Sequence, residues 1–232
     1  MALFFLKGGI KLIELKMRRS IRFLDNDVFS NYCSKISNSF CPFLDPAEKQ
    51  EVLFASQYFI SGENITELQE NMFYIGLIEI ERFRKKRKAL TGPKQILLCE
   101  NVIFEIENQN QTIDGKILFT WPHYLLKVLY TQVGVMIGKF WLHEKDISVN
   151  GVPIPEPVVH FFSIRSAIKP RDPEFFTKAE FLLPTLLKSE DNGQNVHKSL
   201  LPSGCDQHSI ESLKEHRYYY LVKEWVKRTG LI

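Results

Sequence analysis

The stretch from Ile65 to Leu90 limits the fold more than any other. Ile65, Leu68, Met72, Ile75, Ile80 and Phe83 recur with a helical period. Asn64 or Thr66 can cap the start, with Glu67 as capping-box partner of Asn64. The run closes in ERFRKKRKAL, where cations suit the C-terminal end of the helix dipole, and Gly92-Pro93 ends it. Residues 82–88 hold six basic side chains in seven positions. They are read as a solvated last turn, with phosphate binding as the lesser reading.

Strand-like and helical segments surround this helix. The pair Pro42 and Pro46 implies an irregular extended path after a Ser/Asn-rich entry, and residues 50–60 then read as a strand. Residues 94–99 and 102–106 read as two further strands, and ENQNQTIDG as a polar turn. A helix is expected to begin near Thr120, with Pro122 in its first turn and Gly134 as its breaker. Residues 135–142 then read as a buried strand, with Gly138 at a bulge or a close approach. Asn150-Gly151 reads as a turn, VPIPEP as an extended crossing and residues 158–168 as a strand. Asp172-Pro173-Glu174 is expected to open a helix.

Strands and helices mix without regular alternation. The expected fold is therefore α+β, a single domain with a mixed or mostly antiparallel sheet flanked by helices. The expected parts are a basic extension over 1–22, a core over 23–187, a mobile polar loop over 188–209 and a C-terminal helix within 210–232 packed on the core.

Charge is concentrated at the start. Residues 1–22 hold six cations against Glu14 alone, whereas the whole chain is only +3. That balance argues against nucleic acid as a partner. The apolar run near the start is too short for a signal peptide or a membrane span, which leaves weak peripheral membrane contact through residues 1–22 as an open expectation beside a plain extension. Met17 is an alternative start. Cys33, Cys41, Cys99 and Cys205 make no C-x-x-C pair and read as reduced thiols of a cytoplasmic protein.

The stretch from Trp121 to Asp172 holds three of the six histidines and the densest apolar run. His123, in the first turn of the expected helix, would be held neutral by the dipole, as a metal or haem iron requires. The bland alternative is a hydrogen-bonded core histidine. His143 and His160 could complete a metal site, although no H-x-x-x-H spacing supports one. Arg165 either grips the carboxylate of a ligand or pairs with Asp172 to fix a loop. Cys41 is either a nucleophile or iron ligand or a buried thiol. Arg165, Asp172 and Cys41 are thus the candidate catalytic residues. His123 and Arg165 are the candidate cofactor-binding pair, and His123 and His160 the candidate metal ligands.

The order Cys41-Pro42-Phe43, His123-x-x-x-Lys127, Gly134-Val-Met-Ile-Gly138-x-Phe140, Ile164-Arg165 and Asp172-x-x-Phe175 resembles a bacterial family of unknown function. Its members are often encoded beside natural-product biosynthesis genes. Trp141 stands where that family prefers a His. In layout the chain also resembles the haem-dependent guanidine N-hydroxylases. These resemblances imply a small-metabolite-modifying enzyme of bacterial secondary metabolism. It would use haem or iron to oxidise an amino-acid-like substrate, with His123 as axial ligand and Arg165 as propionate or substrate anchor. The alternative is a non-catalytic ligand-binding or accessory protein, with loop 188–209 as a lid under either reading. A small-molecule partner is expected, and a homo-oligomer is left open.

Overall fold

The computed structural model describes residues 19–20, 27–107, 113–148, 150–177, 179–201, 206 and 209–230. Its strands are β1 (Arg19–Ser20), β2 (Leu53–Ile60), β3 (Cys99–Ile106), β4 (Val135–Phe140) and β5 (His160–Ser166). They form one mixed sheet in the order β1-β2-β3-β5-β4, in which β2 and β3 are parallel and every other pair is antiparallel. The helices are α1 (Asp27–Ser39), α2 (Leu44–Lys49), α3 (Ile65–Ala89), α4 (Pro93–Leu97), α5 (Gly115–Tyr130), α6 (Leu183–Lys188), α7 (Ile210–Glu215) and α8 (Tyr218–Arg228). The chain is an α+β domain, as its sequence implied. Apart from Arg19 and Ser20, the basic stretch 1–22 lies outside the described residues.

α3 is the crossover that lets β2 and β3 run parallel. Asn64 caps it by accepting from the Thr66 and Glu67 N–H groups, at 3.0 and 3.1 Å. The Glu67 carboxylate reaches back to the Glu63 N–H at 2.8 Å, one residue earlier than a capping box requires. α3 and α5 cover one face of the sheet. There Phe104 and Phe162 meet Phe119 of α5 edge-on, and Lys86 of α3 pairs with buried Glu100. On the opposite face Phe161 packs on Phe29 and Tyr32 of α1. α8 lies outside α3 and α5, with Tyr218 and Tyr219 against Phe73.

Five expectations about elements change. Residues 93–97 form a short helix rather than a strand, because Pro93 takes the first turn of α4. α5 begins at Gly115, where the Asp114 carboxylate accepts from the Lys116 N–H at 2.8 Å, so Pro122 and His123 lie inside the helix. Pro46 sits within α2, not on an extended path. Residues 172–176 form a 3-10 turn, and the Asp172 carboxylate bonds backwards to the Ile168 N–H instead of capping the next residues. The C-terminal helix is broken at Arg217, which takes a left-handed φ of 51°. Tyr74 stitches that break through Leu213 O and the Tyr219 N–H.

Candidate functional site

The end of α3 does not simply face solvent. Arg84 and Arg87 are three residues apart and share a face of the helix. Their guanidinium groups converge on Asp191, more than a hundred residues away in sequence. Arg84 meets it with a two-bond fork, Nε to Oδ2 at 2.9 Å and Nη2 to Oδ1 at 2.6 Å. Arg87 Nη2 adds a third bond at 2.6 Å. Arg84 also donates to Glu81 and to the Gln194 carbonyl, and Arg87 to the carbonyls of Val133 and Gly134. Gly134 supplies the left-handed turn, φ 62°, that exposes its carbonyl to Arg87. Burial alone would raise the Asp191 pKa, but hydrogen bonds from Arg84 and Arg87 outweigh it and hold the carboxyl at about 2.

Beside this cluster lies a cleft of about 730 Å³. Its walls are the second half of α3, the Gly134 turn, the segment after β5 and residues 189–197. Six cationic side chains line it against three acidic ones. Among them Lys85 and Lys88 are exposed, and Lys169 donates to the carbonyls of Leu187 and Ser189. Ser189 also lines the cleft, and its Oγ is buried without a hydrogen-bond partner among the described residues.

One wall ends in a buried polar chain. His197 Nδ1 lies 3.0 Å from Tyr218 Oη and Nε2 lies 3.3 Å from Tyr130 Oη. Burial, followed by Glu81, pushes the Tyr130 hydroxyl well above its ordinary pKa, so it stays protonated in this chain.

The residues singled out from the sequence lie elsewhere. The His123 ring sits between α5 and the sheet, with Nε2 2.9 Å from the Ile137 carbonyl. Burial, then the Lys139 charge, lowers its pKa to about 3. Neutrality was expected, but its cause is burial and not a helix N-terminus. His123 joins a run of rings, to Phe162 at 6.5 Å, on to Phe119 at 5.1 Å and on to His160 at 6.1 Å. His160 Nδ1 accepts from the Leu142 N–H at 3.3 Å. His143 is exposed, 3.5 Å from the Glu156 carboxylate.

Arg165 forms a two-bond fork with buried Asp172, at 3.0 and 2.7 Å, and a third bond to the Ser166 carbonyl. Of its two sequence readings, this geometry matches the loop-fixing one. Cys41 is partly buried. The neighbouring thiols of Cys33 and Cys99 are pushed by burial to about 12 and about 11, unlike reactive cysteines.

A haem on His123 does not fit these residues. The ring nitrogen Nε2 is committed to a carbonyl, the ring packs on Phe162, and the guanidinium meant for a propionate is closed on Asp172. None of His123, His160, Arg165 or Cys41 lines the cleft. Among the described residues no group of three or more His, Cys, Asp or Glu side chains could hold a metal ion. No described helix is long and apolar enough to cross a membrane.

Sequence reasoning missed Asp191 and His197. The basic run 82–88 was the available signal for the cleft, but its partners come from a polar segment with no motif. Comparison of the chain with protein-family models, with curated proteins and with solved structures finds no match in any of the three.

Proposed function

We propose that this chain binds a small anionic metabolite, one bearing phosphate-type or carboxylate groups, in the cleft between α3 and residues 189–197. The observation that carries this reading is the surplus of cations lining a concave space, six against three. An anion about 4 Å from a surface cation gains about 4 kcal/mol at the effective dielectric of such a site. A surplus of cations in a concave wall therefore selects ligands by charge.

This is the ligand-binding alternative of the two sequence readings, now with a location and a ligand class. Natural-product metabolism, which the family resemblance implies, remains the proposed setting, and the free thiols of Cys33, Cys41 and Cys99 support a cytoplasmic one. The oxidative reading draws no support from the surroundings of His123.

Calorimetric titration with inorganic pyrophosphate and with citrate at low salt tests the proposal. Binding that weakens about tenfold in the double variant Lys85→Ala/Lys88→Ala is expected, a loss of about 1.4 kcal/mol. Wild-type protein that takes up neither anion would remove the proposal.

A further inference from the structure

We infer that the Arg84–Arg87 pair is itself an anion subsite, masked by Asp191, and that it takes one anionic group of the ligand when segment 189–197 lifts. The inference rests on the cleft binding an anionic metabolite and adds the second group that such a metabolite carries. The arginines converge on one carboxylate with three bonds of 2.6–2.9 Å. A guanidinium fork with a second guanidinium beside it, both donating to one anion, is an arrangement that grips a phosphate-type or carboxylate group from a ligand. Here the chain supplies the anion from its own backbone segment.

The segment is built to lift without unfolding. Ser189, Val196 and His197 are buried anchors at its two ends, while Glu190, Asn192 and Gly193 between them are exposed. Asn192 and Gln194 exchange backbone-to-side-chain bonds of 3.1 and 3.0 Å, so the turn keeps its shape by itself. Between these anchors, residues 190–195 are tied to the body by the Asp191 carboxylate and the Gln194 carbonyl on the arginines and by the Glu190 N–H on the Gln132 carbonyl. The first two are bonds to the arginines, which an incoming anion would replace. Asp191 and the ligand therefore compete for the same donors. The ligand's apparent affinity is reduced by the fraction of time the pair is closed.

The test compares wild-type protein with Asp191→Asn, each titrated with inorganic pyrophosphate and with citrate. The variant is expected to bind about tenfold more tightly. Tighter pyrophosphate binding would identify a phosphate-type ligand, and tighter citrate binding a carboxylate. Binding by wild type with no gain in the variant overturns the masking and leaves the cleft reading standing. Absence of binding in both proteins overturns both. A measurement on wild type alone guards against a variant that folds poorly. Amides 190–195 should exchange hydrogen faster when pyrophosphate is bound, and unchanged or slower exchange overturns the inference.

Discussion

Two polar regions, one beside α5 and one beside α3, are built in opposite ways. Between α5 and the sheet, His123 and His160 lie in a run of aromatic rings, and each has a ring nitrogen bonded to the backbone, at Ile137 O and the Leu142 N–H. Between α3 and residues 189–197, charges of both signs meet beside a cleft, the cations outnumber the acids, and Ser189 Oγ lacks a partner among the described residues. Each of these histidines has one ring nitrogen satisfied by a neighbouring backbone carbonyl or amide. A concave wall in which cations outnumber acids two to one favours an anion in the space beside it. The contrast shows why residue type is a weak guide to a site. The histidines carry the more familiar chemistry, yet the lysines and arginines have the open space.

The largest expected effect falls on the charged region. Arg84→Ala removes a guanidinium whose side chain is only 7% exposed and leaves Glu81 and Asp191 short of a partner. A loss of about 3 kcal/mol in urea denaturation is expected. A loss below about 1 kcal/mol would mean that the cluster does not hold the segment.

Next comes the acid limb of stability. Asp191 is held at about 2 against an ordinary 3.8. Its contribution is complete above pH 3.8 and is lost as pH falls toward 2. About 2 kcal/mol should disappear across that window, and Asp191→Asn should flatten it. An unchanged profile in the variant would contradict the assignment.

The aromatic layer titrates higher. The folded protein keeps His123 neutral down to about pH 3, whereas the unfolded chain takes up the proton near 6.5. The stabilisation is complete above 6.5 and falls as pH drops. Relative to His123→Phe, wild type should lose about 1 kcal/mol between about pH 6.5 and 5.5. Parallel stability curves for the two proteins would refute the buried neutral imidazole.

Smallest in stability are Lys85→Ala and Lys88→Ala, each expected within about 0.5 kcal/mol of wild type because both lysines are exposed. A larger loss would give them a structural role and blunt the contrast.

Local chemistry made much of the fold legible. The Asn64 cap, the apolar period of α3 and the turn at Gly134 all act within a few residues, and each is where the sequence put it. Errors arose where a local rule had a competitor. Pro122 reads as a helix start until Asp114 is seen to cap the chain well before it. Residues 93–97 carry both a strand pattern and a proline suited to a first helical turn. The apolar pattern of the C-terminal helix conceals Arg217, whose left-handed backbone breaks the helix where Tyr74 bonds to both sides of the break.

The site was less legible for a related reason. The basic run 82–88 is visible, but whether it is solvated or walls a cleft depends on Asp191, which no spacing rule connects to it. The pairing of Arg165 with Asp172 was legible because only seven residues separate them. Loop 188–209 was expected to move. Its described residues 189–201 include buried Val196 and His197, which its polar composition conceals.

Amide chemical-shift mapping of wild-type protein titrated with inorganic pyrophosphate separates the two regions most directly. Perturbations confined to residues 81–88, 133–134, 166–169 and 189–197, with the amides around His123 and His160 unmoved, are the predicted result. Perturbations centred on His123 and His160, or none anywhere, would contradict an anion site in the cleft.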